Sequence, residues 1–244
     1  MIIQNTNFNI FYPKIPNLRR KVVDYEEKFT TFFLPFKILP IPDDAPEEIP
    51  RIMMSTINGH SSLNLSLTGA AFTTNYDEKF NYDWEKCLGY LNDRIIKVYD
   101  ILDTLKQDRF LFSGLLTQIF INEFTENPVD LIQNKILKLN SKTTPFDVDC
   151  KITFVYEKNY YININVSNVR FFEGLIPCGV TTSGTLQEKA NTVGITIDIN
   201  DRYGFNYDKD YTSDYAKIQK ILEITTDIIN NKLNKLITEG VFDL

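Results

Sequence analysis

One histidine, His60, stands in "INGHSSLN". With Ser61 and Ser62 beside it, a nucleophile-and-base pair is the first chemistry to test. Neighbours on a strand point to opposite faces, and no G-x-S-x-G elbow surrounds either serine. Asn58-Gly59 is a hairpin-turn signal, so His60 reads as a surface turn residue heading a strand. A histidine-rich metal site is excluded by the same count. The three cysteines, Cys87, Cys150 and Cys178, lack zinc-ligand spacing. Cys87 lies beside an apolar helical stripe, and Cys150 shares strand parity with Ile152 and Phe154; both read as core. Cys178, in "IPCGV", reads as an exposed thiol with no basic neighbour in sequence to favour its thiolate.

Two further stretches suggest ligands. "GVTTSGTL" (179–186) spaces two glycines as a phosphate loop does. It lacks the following lysine and is flanked by strands where a helix should follow. "DINDRYGFNYDKD" offers Asp198, Asp201, Asp208 and Asp210. A calcium loop would need an acceptor where Arg202 stands and glycine where Tyr203 stands. A turn leading to a helix N-terminus, where the dipole favours acids, explains these carboxylates better. Asp and Glu are abundant, but nothing in the sequence selects a pair for hydrolysis. No residue is therefore assigned a catalytic, cofactor-binding or metal role, and no cofactor is implied.

The elements that would position any site declare themselves by period. In "DWEKCLGYLNDRIIKVYDILDTLK" the residues Trp84, Leu88, Leu91, Ile95, Val98, Leu102 and Leu105 recur every three or four positions, predicting a helix about 35–40 Å long. Near the C-terminus Ile218, Ile221, Leu222, Thr225, Ile229, Leu233 and Leu236 form a second stripe, with Thr212 or Ser213 as its cap and Gly240 as its stop. Strands alternate: Leu63, Leu65, Leu67; Ile162, Ile164, Val166; Val193, Ile195, Ile197, Ile199. "CKITFVYEKNYYINI" predicts a hairpin turning at Glu157-Lys158-Asn159, and further strands are expected around 28–39, 51–57 and 109–122. Clean alternation, one face buried and one polar, is the pattern of antiparallel sheets. "LPIPDDAPEEIPRI" is a stiff acidic connection. A short helix is expected after Pro128, and 170–192 reads as a long loop of the kind that carries function.

The order is strands, helix, strands, helix, and each long helix follows a copy of FNYD, at 80–83 and 205–208. The predicted fold is α+β: antiparallel sheet packed on two long amphipathic helices, a pseudo-duplication with halves 1–108 and 109–244 forming one unit. Phe80 and Phe205 are then expected to be buried at equivalent helix starts.

With 43% hydrophobic and 24% charged residues, the 244-residue chain can bury a core. Its net charge of −6 argues against nucleic acid, since such a surface repels a phosphate backbone. No apolar run approaches a membrane span, and no secretory leader is visible. Odd, scattered cysteines point to a reducing, cytoplasmic setting.

"PDDAPEEIPRIMMSTINGHSSLNLSL", the long helix after it, "TVGITIDIND" and the closing helix together resemble an uncharacterised family of sporadically distributed bacterial proteins of about this length. The likeness spans most of the chain and rests chiefly on Pro50-Arg51-Ile52 and on the strand holding Asp198. That family has no established activity, so the resemblance implies no site residue. Antiparallel strands followed by a long helix also look like the cytosolic export chaperone SecB, which is acidic and oligomeric; this is a likeness of architecture. The expectation is a non-catalytic cytosolic binding or assembly protein: an adaptor, a chaperone-like factor or a defence-system component. Its partner would be a protein or a second copy of itself. The alternatives are an enzyme with its site in the 170–192 loop, using Cys178 and scattered carboxylates, or a small-ligand binder between sheet and helix.

Overall fold

A computed structural model describes residues 1–29, 33, 36–105, 109–173 and 187–244. In chain order, β1 (Ile2–Phe11) is followed by the short helices α1 (Leu18–Asp24) and α2 (Glu26–Phe29). The strands β2 (Phe36–Ile38), β3 (Ile52–Ser55), β4 (Ser61–Leu65) and β5 (Gly69–Asn75) come next, then the long helix α3 (Trp84–Thr104). The second half opens with β6 (Phe112–Ile121) and α4 (Pro128–Leu131), which runs into a π-helical turn (Ile132–Leu137). Strands β7 (Asp149–Tyr156), β8 (Tyr160–Glu173) and β9 (Gln187–Asn200) follow, then a short helix α5 (Arg202–Tyr207). The chain closes with α6 (Tyr215–Asp227), a π-helical turn (Ile228–Lys232) and α7 (Leu233–Glu239), which together form the second long helix.

The nine strands among the described residues join one antiparallel sheet, in the order β2-β3-β4-β5-β1-β6-β9-β8-β7. From the centre outward, each half places its first strand (β1 or β6), then the strand before its long helix (β5 or β9), then the earlier strands of a meander. The predicted α+β architecture is therefore observed, and both halves run strand, short helix, meander, long helix, although the meanders have four and three strands and α5 intervenes only in the second. The alternation in sequence becomes one buried face. Phe8, Ile10, Leu63, Phe72, Leu115, Ile162, Ile197 and Ile199 are all at most 1% exposed. Each such side chain contributes about 1.5–3 kcal/mol by leaving water.

The helix stripes lie on that face. Leu91, Ile95, Val98 and Leu102 of α3, and Ile218, Ile221, Leu222, Ile229, Leu233 and Leu236 of the second long helix, are buried. The two helices are stitched by hydrogen bonds from Trp84 Nε1 to Thr226 Oγ1 (3.1 Å) and from Gln219 to Asn92 (3.1 Å). The space between sheet and long helices is filled by these side chains. At 21 residues α3 spans about 32 Å, shorter than expected because it ends at Thr104.

Several expectations are corrected. The cap of α6 is Asp214, whose carboxylate accepts from Lys217 N (2.9 Å). Ser213 is unavailable, because it bridges Phe110 and bonds Asp201. Gly240 does end the helix, at φ 67°. Of the strand expected around 28–39, Phe36–Ile38 is observed as β2, whereas Lys28 and Phe29 belong to a short helix opened by Glu26-Glu27, acids that suit its N-terminal dipole; residues 30–32, 34 and 35 lie outside the described residues. The FNYD copies are not equivalent helix starts. The first runs straight into α3, with Asp83 as its N-cap. The second lies largely within α5, and Phe205 is 37% exposed while Phe80 is half-buried against the core. The true counterparts are Asp83-Trp84-Glu85-Lys86 and Asp214-Tyr215-Ala216-Lys217. Each is an aspartate cap bonded to the backbone N–H of a lysine three residues on and ion-paired to its ammonium.

Candidate functional site

His60 sits after the β3–β4 turn, where Gly59 takes φ 71°, and its Nε2 lies 3.8 Å from Asp77 Oδ2. Ser61 is buried and its hydroxyl bonds Thr74 and Tyr90, whereas Ser62 faces the other side of the sheet, so the three residues do not converge. Cys87 is buried, bonded to Phe80 O, and burial pushes its thiol up to about 12, which makes it unreactive at neutral pH. Cys150 is half-buried rather than core, because its strand lies at the edge of the sheet. The expected 170–192 loop is shorter than predicted: β8 and β9 pair out to Glu173 and Gln187. Cys178 and "GVTTSGTL" lie outside the described residues. Among the described residues, no three His, Cys, Asp or Glu side chains gather as metal ligands, and no helix is long and apolar enough to cross a membrane.

Asp201 is the most enzyme-like group and was missed as such in the sequence. It is fully buried and accepts from Ser113 N, Tyr211 Oη and Ser213 Oγ. Burial raises its carboxyl above the usual range, and the three donors offset only part of that. Ser113 and Ser213 are also buried, so no substrate reaches them. The cluster is a joint. It ties the start of β6 to the turn after β9 and to the residue before the α6 cap. Of the other acids in that stretch, Asp208 bonds the N–H of Asp210, and Asp198 faces away from the core.

That other face of the sheet is the feature with ligand-binding geometry. Apart from Gly114, Gly194 and Thr192, its residues are half-buried or exposed. The register sets them in rows across the strands. One row runs Ser55, Ser62, Thr73, Asn7, Leu116, Asp198, Asn163, Thr153. The next runs Asn75, Asn5, Gln118, Thr196, Asn165, Lys151. Asn64, Asn9 and Asn200 lie in the row on the opposite side. A solvated face normally carries Lys and Glu; this one carries chiefly carboxamides and hydroxyls, with Asp198 and Lys151 as the charges in these rows. Asp198 is held within them, taking hydrogen bonds from Asn163 (3.1 Å) and Asn200 (3.0 Å).

The ends of the face are aromatic. Along β6 its positions read Phe112, Gly114, Leu116, Gln118, Phe120, so the aromatic ends stand about 27 Å apart. Phe11 stacks on Phe112 at 4.3 Å, Phe205 follows at 5.3 Å, and Tyr161, Tyr203 and Tyr207 stand beside them. At the other end Phe120 meets Phe171 edge-on at 5.6 Å. There they border a cavity of about 450 Å³ with Ile2, Phe124 and Val193. The signal was legible as alternation in "YININVSNV"; which residues line up across strands was not. No protein-family model matches the chain, and no curated protein or solved structure shows significant similarity to it.

Proposed function

We propose that this chain is a non-catalytic binding protein, and that its ligand is an uncharged, hydroxyl-rich chain of the glycan type lying across the open face of the sheet. The observation that supports this reading is the composition of that face: carboxamides and hydroxyls across the middle, aromatic rings at both ends. A carboxamide both donates and accepts, as a sugar hydroxyl does, so each can replace the water the other loses. Rings at the ends offer flat apolar surfaces for C–H faces, with tyrosine hydroxyls at the rim. A protein surface would instead meet an apolar centre, and a phosphate polymer would be repelled by the net charge of −6.

The test is affinity electrophoresis through gels holding neutral soluble polysaccharides. The native chain is expected to be retarded by at least one. Asn7→Ala with Asn163→Ala should weaken that interaction by about tenfold or more, equivalent to about 1.4 kcal/mol, while the melting temperature holds. No retardation in any gel, or equal retardation of the double variant, overturns the proposal. So does binding of a single-stranded oligonucleotide in place of the polysaccharides.

A further inference from the structure

The two halves share their element order but not their strand count. From the centre, the first half runs β1, β5, β4, β3, β2; the second runs β6, β9, β8, β7 and stops. Among the described residues, no strand pairs with β7 as β2 pairs with β3. We propose that β7 is the acceptor for an extended peptide segment of a partner protein, which adds as a tenth, antiparallel strand. This does not rest on the open-face reading.

Three observations carry it. First, β7 is eight residues long, contains no proline and carries Lys151 as its one basic residue. The opposite edge is protected as exposed edges usually are: β2 has three residues and is followed by Pro40 and Pro42. Second, the core is unfinished at β7. Its inward residues Cys150, Ile152, Phe154 and Tyr156 remain half-buried, while Ile162, Ile164 and Val166 on β8 are at most 2% exposed. A hollow of about 240 Å³ opens beside Tyr156, floored by Ile224, Ile228 and Leu244 and rimmed by Lys220 and Asp227. An added strand would bury alternate apolar side chains there and against Ile152, while Phe154 is already stacked on Phe242 at 5.3 Å.

Third, the chain's own counterpart of β2 is committed elsewhere. The segment before β7 is pinned where Leu139 exchanges hydrogen bonds with Gln133. It turns at Ser141–Thr143 and ends with Phe146 under the Arg170 guanidinium, at 4.1 Å. Arg170 also takes the Phe146 carbonyl at 2.7 Å, beyond the Asp149 end of β7. Among the described residues, then, the chain supplies no neighbour for this edge.

The probe is a library of random peptides of about ten to twelve residues displayed on phage, selected against the full chain. Enriched sequences are then measured as labelled synthetic peptides by fluorescence polarisation. They are expected to carry apolar residues at alternate positions. Binding should weaken about tenfold or more with Ile152→Lys, an inward charge that blocks strand addition. N-methylation of alternate peptide amides should abolish binding, while methylation of the intervening amides leaves it intact. This arm stands even if Ile152→Lys fails to fold. No enriched peptide, peptides indifferent to methylation at every position, or undiminished binding to a folded Ile152→Lys overturns the proposal. A chain that sediments as a dimer and is dissociated by Ile152→Lys also overturns it, because a second copy then holds the edge.

Discussion

Asp201 concentrates the energetics of single residues in this chain. Its two oxygens serve three donors, one on β6 and two in the segment before α6, in a site from which water is excluded. Asp201→Ala strands a backbone N–H and two hydroxyls. It should cost on the order of 3 kcal/mol in denaturant unfolding, and Asp201→Asn, which keeps the shape and one acceptor, should cost less. The pH dependence has a definite sign. Because burial raises the folded carboxyl above its unfolded value near 4, the folded state holds the proton more tightly. The stability contributed by this group is then fullest below about pH 4 and falls as pH rises through the raised value. Unfolding free energies of the native chain and Asp201→Asn, compared from acid to neutral pH, should converge or cross as pH rises. A constant gap would remove the titration from the account. Gly204 belongs to the same joint: a Cβ there would stand 2.3 Å from the Tyr211 ring, so Gly204→Ala should displace Tyr211 and destabilise the chain. Composition identified these acids as turn residues. Which of them is buried depends on the Ser113 strand, which lies 88 positions away in sequence.

At the scale of elements, the two long helices begin alike and end differently. Asp214 is partly buried, which pushes its carboxyl up, yet the hydrogen bonds from Lys217 outweigh this and leave it below the usual range. Asp214→Ala should cost about 1 kcal/mol, and Asp83→Ala should destabilise in the same direction; thermal melts measure both. Both caps weaken in acid, as protonation removes the acceptor. Gly240 closes the second helix in the left-handed region, and a Cβ there would lie 1.9 Å from Lys135 O. Gly240→Ala should therefore cost more than the about 1–2 kcal/mol of the backbone conformation alone. Helix stripes and strand alternation were readable because each is periodic within one element. The FNYD repeat misled because identity in sequence is not identity of position. It keeps its distance from the strand before it, Asn75 or Asn200, but the second copy lies largely within α5, and residues 209–214 separate it from its long helix.

At the scale of the whole molecule, β1 and β6 pair at the centre of one sheet, and Trp84 of the first half bonds Thr226 of the second. The expected halves, 1–108 and 109–244, thus share one sheet and one core. Denaturant unfolding should show a single transition, with Trp84 fluorescence and far-UV circular dichroism coinciding; two separated transitions would mean that the halves fold independently. The sequence by itself determined the α+β class, the two helix stripes, the antiparallel pairing implied by alternation, and, with one histidine, the exclusion of a histidine-rich metal site. These follow from local periods and composition. Only the tertiary structure decided that the nine described strands form one sheet, that Asn7, Asp198 and Asn163 lie in one row, that Asp201 is buried, and that β7 has no neighbour among the described residues. Each of those depends on register between strands distant in the chain, and a local pattern sets which face a residue takes but not what stands beside it.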